Sequence, residues 1–311
     1  MAGHYGDPYL EQRRLSEGVG AVDLSHRPVI RVTGPDRLSW LHSLLSQHVA
    51  DLQPGESTEA LVLSPNGHVE HHLQLVETGE EVLAHLEPGT AEELIGFLDR
   101  MRFMLRVEVS LTDLAVVWEP AGVPHASLPC TETGFGRYLL APRAELRTLL
   151  DHPTGMMAHE ALRVAAVRPR LGLDTDHRTL PHEVGWLGSA VHLDKGCYRG
   201  QETVARVHNL GQPPRRLALL HLDGSDSELP APGSPVRLGE REVGRVGSAV
   251  RHFELGPIAL ALVKRQVPTD ADLLAGDIPA RIDADSVVAL PESPARAAAA
   301  ARSGLLKLPR T

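Results

Sequence analysis

Apolar positions recur with two different periods along the first third of the chain. Val29, Ile30 and Val32 form a short β-favouring run. Gly34-Pro35-Asp36 after it reads as a helix start, with the proline suited to the first turn. Leu38, Leu41, Leu44, Leu45 and Val49 then recur at helical spacing and predict one apolar helix face. Pro54-Gly55 ends that unit. Ala60 to Leu63 predicts a strand and Ser64-Pro-Asn-Gly67 a turn. Val69, His71, Leu73 and Leu75 alternate as the second strand of a hairpin. Glu81 to Leu86 predicts another strand. Thr90-Ala-Glu-Glu93 has the spacing of a capping box and opens a helix with Leu94, Phe97, Leu98 and Met101 on one side. Leu105, Val107, Val109 and Leu111 alternate as a strand.

This order mixes hairpins with helices and predicts α+β layers rather than a doubly wound parallel sheet. No glycine-rich phosphate loop is present. Helices are expected from Pro142 to Leu150 and from Gly155 to Val167. Residues 168–202 lack periodicity and are rich in Gly, Pro, Asp and His, as functional loops are. Pro213-Pro214 marks a boundary. Beyond it Leu217 to Leu222, Pro235 to Leu238, Val243 to Val250, Ile258 to Val263 and Ile278 to Ile282 predict a small all-β domain. The expected division is 1–210, 211–291 and a tail over 292–311 rich in Ala, Arg and Pro.

Composition narrows the function. A chain of 311 residues, 42% hydrophobic and 23% charged, folds into a sizeable core rather than staying disordered. A net charge of −9 argues against general nucleic-acid binding. Two cysteines, Cys130 and Cys197, are too few for a disulfide framework or an all-cysteine metal site. No secretory signal and no apolar run of membrane-spanning length is visible, so a cytoplasmic protein with no membrane partner is expected. His68, His71 and His72 stand close together, but strand geometry divides them between two faces, and no metal site is expected there.

The chemistry concentrates in Leu193-Asp-Lys-Gly-Cys-Tyr-Arg-Gly-Gln-Glu202. Lys195 and Arg199 flank Cys197 at two residues on either side, and nearby cations favour a thiolate. Gly196 and Gly200 permit a tight backbone path. A helix starting near Gln201 would add its N-terminal amides. Gln201 and Glu202 could orient a ligand, and Arg206 could bind an anion. A solvated turn with an incidental cysteine fits the same residues. His177, His182, His192 and His208 lie around the motif; one could contact a ligand or tune Cys197, but loop histidines are usually solvated, and Cys130 reads as a structural or incidental thiol in a turn. Trp40, Trp118 and Trp186 read as core, with Trp186 also open to a ligand role. Cys197 is expected to be partly exposed and more reactive than Cys130.

The run Lys195-Gly196-Cys197-Tyr198-x-Gly200-Gln201-Glu202 resembles the signature of the YgfZ family. These are folate-binding proteins of iron–sulfur maturation and tRNA modification, related to the aminomethyltransferase (T-protein) of the glycine cleavage system. Asp23-Leu-Ser25, Gly34-Pro-Asp36, Gln47 to Leu52, Leu180-Pro-His-Glu183, Val204-Ala-Arg206 and Gly244-x-Val246-x-Ser248 resemble other family segments. The resemblance implies an α+β, aminomethyltransferase-like (GcvT-like) fold of three lobes. Ferredoxin-like α/β lobes would surround a central channel, followed by a C-terminal β-barrel. It implies tetrahydrofolate or a derivative as cofactor, bound within 1–210. Cys197 and Lys195 would be catalytic, and Gly196, Tyr198, Gly200, Gln201, Glu202 and Arg206 would shape the motif or bind ligand. Partners would be folate and iron–sulfur client or assembly proteins, with no direct nucleic acid. An aminomethyltransferase or demethylase using tetrahydrofolate is the alternative. Two departures weigh against it. The transferase's Gly-Glu-Asp-Gly-Phe-Glu-like run falls on Thr131 to Gly136, with glycine at its last acidic position. Its catalytic aspartate segment falls near Leu86 to Glu93, where Glu93 is expected to cap a helix.

Overall fold

The computed structural model describes residues 1–121, 128–150, 152–225 and 228–287. The chain opens with α1 (Pro8–Ser16), capped by the Asp7 carboxylate, which accepts from the Tyr9 and Leu10 amides. β1 (Ala21–Asp23) begins one sheet, and the chain then leaves it to build another. That second lobe contains β2 (Val29–Thr33), α2 (Arg37–Leu44), β3 (Ser57–Leu63), β4 (Val69–Glu77), β5 (Glu81–His85), α3 (Ala91–Arg100) and β6 (Glu108–Leu111). The chain returns with β7 (Leu114–Glu119), β8 (Cys130–Thr133), β9 (Gly136–Pro142), α4 (Leu146–Leu149), β10 (Pro153–Thr154) and α5 (Met156–Ala165). Strand order is β10-β1-β7-β9-β8 in the first sheet and β3-β4-β5-β2-β6 in the second. The two lobes are therefore interleaved in sequence.

After α6 (Gln201–Leu210) a closed barrel follows, ordered β11-β14-β13-β12-β15-β16. Its strands are β11 (Arg215–Leu222), β12 (Pro235–Leu238), β13 (Arg241–His252), β14 (Gly256–Lys264), β15 (Leu273–Ala275) and β16 (Ile278–Ile282). Alternation puts Val236, Val246, Ala261, Val263 and Ile282 inside it. β3 is buried on both faces. Ala60 and Val62 pack with Trp40, Leu41 and Leu94 in the second lobe. Leu61 and Leu63 face a different core that also contains Trp186, Tyr198, Val204 and the barrel residues Leu217, Leu219 and Leu260. This second core joins the lobe, the irregular segment and the barrel.

Several expectations are corrected. Thr90 and Glu93 form no capping box: α3 does start at Ala91, but the Thr90 hydroxyl donates to the Glu87 carbonyl at 2.8 Å. The alternating run 105–111 is a strand only from Glu108, because residues 102–107 form a turn. The helix expected over 142–150 shrinks to α4, since β9 continues through Pro142. α2 ends at Leu44, yet Leu45 and Val49 still reach the same core. α1, β1, β7, β8, β9, β10 and β15 have no counterpart among the elements expected from the sequence. The tail 292–311 lies outside the described residues.

Candidate functional site

The cysteine segment is an arch anchored at both ends. On one side Lys195 is buried, and its ammonium donates to the carbonyls of His42, Leu45 (2.6 Å) and Gln47 (3.1 Å) where α2 ends. A helix C-terminus leaves carbonyls unpaired and favours a cation. Parallel bonds close the seam: Ser46 Oγ donates to the Ala190 carbonyl at 2.6 Å, Gln47 Nε2 to Ser189 at 2.9 Å, and the His192 amide to Ser46 at 3.0 Å. Burial pushes the Lys195 ammonium down to about 8 and the Tyr198 phenol up to about 12. The Tyr198 ring lies in the core, 5.2 Å from Lys195 Nζ.

On the other side Arg199 pairs with Glu70 of β4 at 2.7 Å. Gly200 has φ +83, and a Cβ there would stand 2.5 Å from the Ser64 carbonyl oxygen and 3.0 Å from Gly67 Cα. The arch thus sits on the hairpin turn between β3 and β4. α6 begins at Gln201, as expected. Gln201 Nε2 donates to the Lys195 carbonyl at 3.4 Å, while Glu202 and Arg206 pair with each other on the exposed face at 2.6 Å. Between the anchors, Gly196 and Cys197 are exposed. Both flanking cations have partners of their own: Lys195 donates to three carbonyls and Arg199 pairs with a glutamate. Cys130 starts β8 rather than lying in a turn. Burial, then the nearby Glu132, pushes its thiol up.

Where the three lobes meet lies a buried layer of charged and aromatic side chains. Trp186, from the irregular segment, stacks on His72 of β4 with ring centroids 4.6 Å apart. His72 Nε2 faces Glu59 Oε2 at 3.6 Å, and Arg168 donates to the other Glu59 oxygen. The His85 ring lies 4.7 Å from Tyr138 of β9, and its Nε2 is 3.1 Å from Thr131 Oγ1. Arg27 pairs with Glu87 at 3.0 Å and covers the Tyr138 ring. Arg170 bridges Glu87 and Glu160, Arg163 bridges Glu160 and Asp174, and Asp174 accepts from the Ser248 amide of the barrel at 2.7 Å. Burial alone would raise the Glu59 carboxyl, but His72 and Arg168 outweigh it and hold it at about 2. Glu87 and Glu160 are likewise held low by their arginines against burial. Burial pushes His85 and His159 down, which favours neutral imidazoles.

Among the described residues, the buried His85 Nδ1, Trp186 Nε1, Trp118 Nε1 and His159 Nε2 have no hydrogen-bond partner in this layer, while Glu59 Oε2 and His72 Nε2 have only each other, at 3.6 Å, and His159 Nδ1 only Glu160, at 3.4 Å. Native interiors seldom leave such atoms unpaired, so their concentration points to a group that the chain itself does not supply. A cavity of about 390 Å³ between α1, α5 and β13 adjoins the layer through Glu160, with Tyr9, Met156, Met157 and Val250 as apolar walls. Gly136 packs against Trp118. A Cβ there would lie 2.7 Å from Trp118 Nε1 and from the Glu119 carbonyl oxygen, so no glutamate fits.

Of the site residues expected from sequence, the arch brings together Lys195, Gly196, Cys197, Tyr198, Gly200 and Gln201, and leaves Glu202 and Arg206 on the surface. His182 and His208 are buried, not solvated as expected. His71 and His72 are both buried, and among the described residues no group of three His, Cys, Asp or Glu side chains could hold a metal. Glu59 and His85 escaped the sequence reading, and Arg168 and Arg170 entered it only as part of the irregular segment 168–202, with no role of their own. Their only signal is charge or imidazole at the ends of apolar strands and just after α5.

Residues 215–288 match the family described as CAF17, C-terminal beta-barrel domain. The whole chain superposes on aminomethyltransferase T of the glycine cleavage system from Bartonella henselae, with a TM-score of 0.76 and 19% identity over 93% of this chain and 94% of that one. The molecule therefore has the aminomethyltransferase-like fold: α+β, three-lobed, with a C-terminal barrel. Within that class its barrel is of the CAF17 type. In sequence it is 28% identical to the aminomethyltransferase of Moorella thermoacetica over 94% of this chain and 91% of that protein. It is 27% identical to a chloroplastic transferase-like protein of Arabidopsis thaliana, over 78% of this chain and 66% of that one. No helix among the described residues is long and apolar enough to cross a membrane.

Proposed function

We propose that this protein binds a reduced folate in the buried layer where its lobes meet and supports iron–sulfur cluster assembly or repair in client enzymes, including those that modify tRNA. The observation that carries the folate reading is the set of unpartnered buried atoms around Trp186. A pterin presents neighbouring donors and acceptors on a flat ring. Glu59 Oε2 accepts, Trp186 Nε1 donates, and His72 and His85 do either according to tautomer. These residues supply the donors and acceptors that would hold such a ring. The folate, when bound, carries one-carbon units. This chain's own groups bind it, orient it and exclude water. The maturation role is supported by the resemblance of 195–202 to its family signature, by the CAF17-type barrel and by the exposed Cys197. One thiol holds no stable cluster alone, so any cluster contact is shared with a partner.

Calorimetric titration with tetrahydrofolate tests the first half. Binding is expected, weakened at least about tenfold in Glu59→Gln. No heat at high micromolar ligand sinks it. A deletion strain assayed for iron–sulfur enzyme activity and tRNA methylthiolation tests the second half. Cys197→Ser is expected to fold normally and fail to complement, whereas normal enzyme activities in the deletion strain would refute the maturation role. One-carbon transfer remains the second reading, because several relatives are named aminomethyltransferases. Release of methylenetetrahydrofolate from an aminomethyl donor would establish it. The lack of space beside Gly136 argues against it.

A further inference from the structure

Three histidines meet on the seam that holds the cysteine arch. His42 lies in the last turn of α2, His48 follows that helix, and His192 leads into the arch. The His42 and His48 rings stand edge to face with centroids 4.6 Å apart, and the His48 and His192 rings are 5.6 Å apart. Two of the three are acceptors. The Val49 amide donates to His42 Nδ1 at 3.4 Å, and the Asp194 amide donates to His192 Nδ1 at 3.2 Å. A backbone N–H only donates, so both imidazoles are neutral there and carry their proton on Nε2. His48 Nε2 faces the Asp51 carboxylate at 2.9 Å. The same residues hold the seam by main chain: the His42 carbonyl accepts from Lys195, and the His192 amide donates to the Ser46 carbonyl at 3.0 Å.

Acid works against this arrangement in two ways. A proton on Nδ1 turns the acceptor into a donor and leaves the Val49 or Asp194 amide without its partner. At these ring separations, imidazolium ions would also repel one another and the Lys195 ammonium. The charged side chains facing the trio are Lys195 from the arch and Asp51 from the turn after α2, with Asp194 beside His192. Asp51 is 83% exposed, so water screens the offset it supplies. Burial, then Lys195, push the His42 imidazole below its ordinary value of 6.5. Its folded value is the lower one. The stability it lends the seam is therefore complete above 6.5 and is lost as pH falls through the folded value. We infer that His42, His48 and His192 form an acid-sensitive latch: with neutral rings the cysteine arch is closed against the end of α2, and protonation of the trio releases it.

Hydrogen exchange of the full chain at about pH 7.5 and about pH 5.5, corrected for the intrinsic rate, tests this. Protection over 189–196 is expected to fall at least about fivefold at the lower pH, while β14 keeps its own. The double variant His42→Asn/His192→Asn places an amide oxygen where each Nδ1 stands. That oxygen accepts at either pH, so the variant should lose the acid response. Two-bond ¹H–¹⁵N correlation spectra need no variant, and should show His42 and His192 of the wild type as Nε2–H tautomers at about pH 7.5. Equal protection of 189–196 at the two pH values overturns the inference. So does a full acid response in the double variant, or an Nδ1–H tautomer at either histidine.

Discussion

Lys195 changes role between sequence and structure. Two residues from Cys197 in the chain, its ammonium satisfies three backbone carbonyls where α2 ends. Lys195→Met removes the donor and leaves those acceptors buried. That should cost roughly 1–3 kcal/mol, read as a lower urea midpoint, with faster amide exchange over 189–196. An unchanged midpoint would show that the clamp is dispensable. Cys197 is exposed, whereas Cys130 is half-buried with its thiol pushed up. Iodoacetamide should therefore alkylate Cys197 first, read for each cysteine by mass spectrometry. Preferential labelling of Cys130 would contradict the arch geometry.

At the scale of elements, the arch and the β3–β4 hairpin turn fit only if both are glycine-bearing. Gly200 needs a positive φ and has the Ser64 carbonyl and Gly67 against it, while Gly67 has Thr203 against it. Gly200→Ala should lower stability by roughly 1–3 kcal/mol through strain and collision. Gly196, with open space around it, serves as the control, and Gly196→Ala should stay within about 0.5 kcal/mol. Denaturant curves compare the two, and equal losses would mean that the turn does not bear on the arch. The importance of both glycines was visible in the sequence, from the motif and from the turn Ser64-Pro-Asn-Gly67. Their contact was not, because more than a hundred residues separate them.

For the molecule as a whole, the lobes are held together by carboxylates whose cations come from distant segments. Glu59 lies at about 2 against an ordinary value of 4.5, held down by His72 and Arg168. Its folded value is the lower one. The stability it contributes is therefore complete above pH 4.5 and is lost as pH falls from there to about 2. The shift corresponds to roughly 3 kcal/mol. Unfolding free energy measured between pH 6 and pH 3 should fall less steeply in Glu59→Gln than in wild type. An identical slope would mean that the carboxylate keeps its ordinary acidity in the fold.

The sequence by itself determined the strands and helices with clear periodicity and the barrel as a run of short strands, and it singled out the segment 195–202 as the candidate site. These are local properties: side-chain period, turn residues, and neighbours in one motif. Tertiary structure alone decided what that segment's side chains face. Lys195 reaches back to α2, Arg199 to β4, and Tyr198 into the shared core. It also decided the second site. Glu59 and Arg168 are 109 positions apart, and Arg163 and Ser248 are 85 apart. No periodicity marks such pairs, because burying a charge is favourable only where another part of the chain brings its partner.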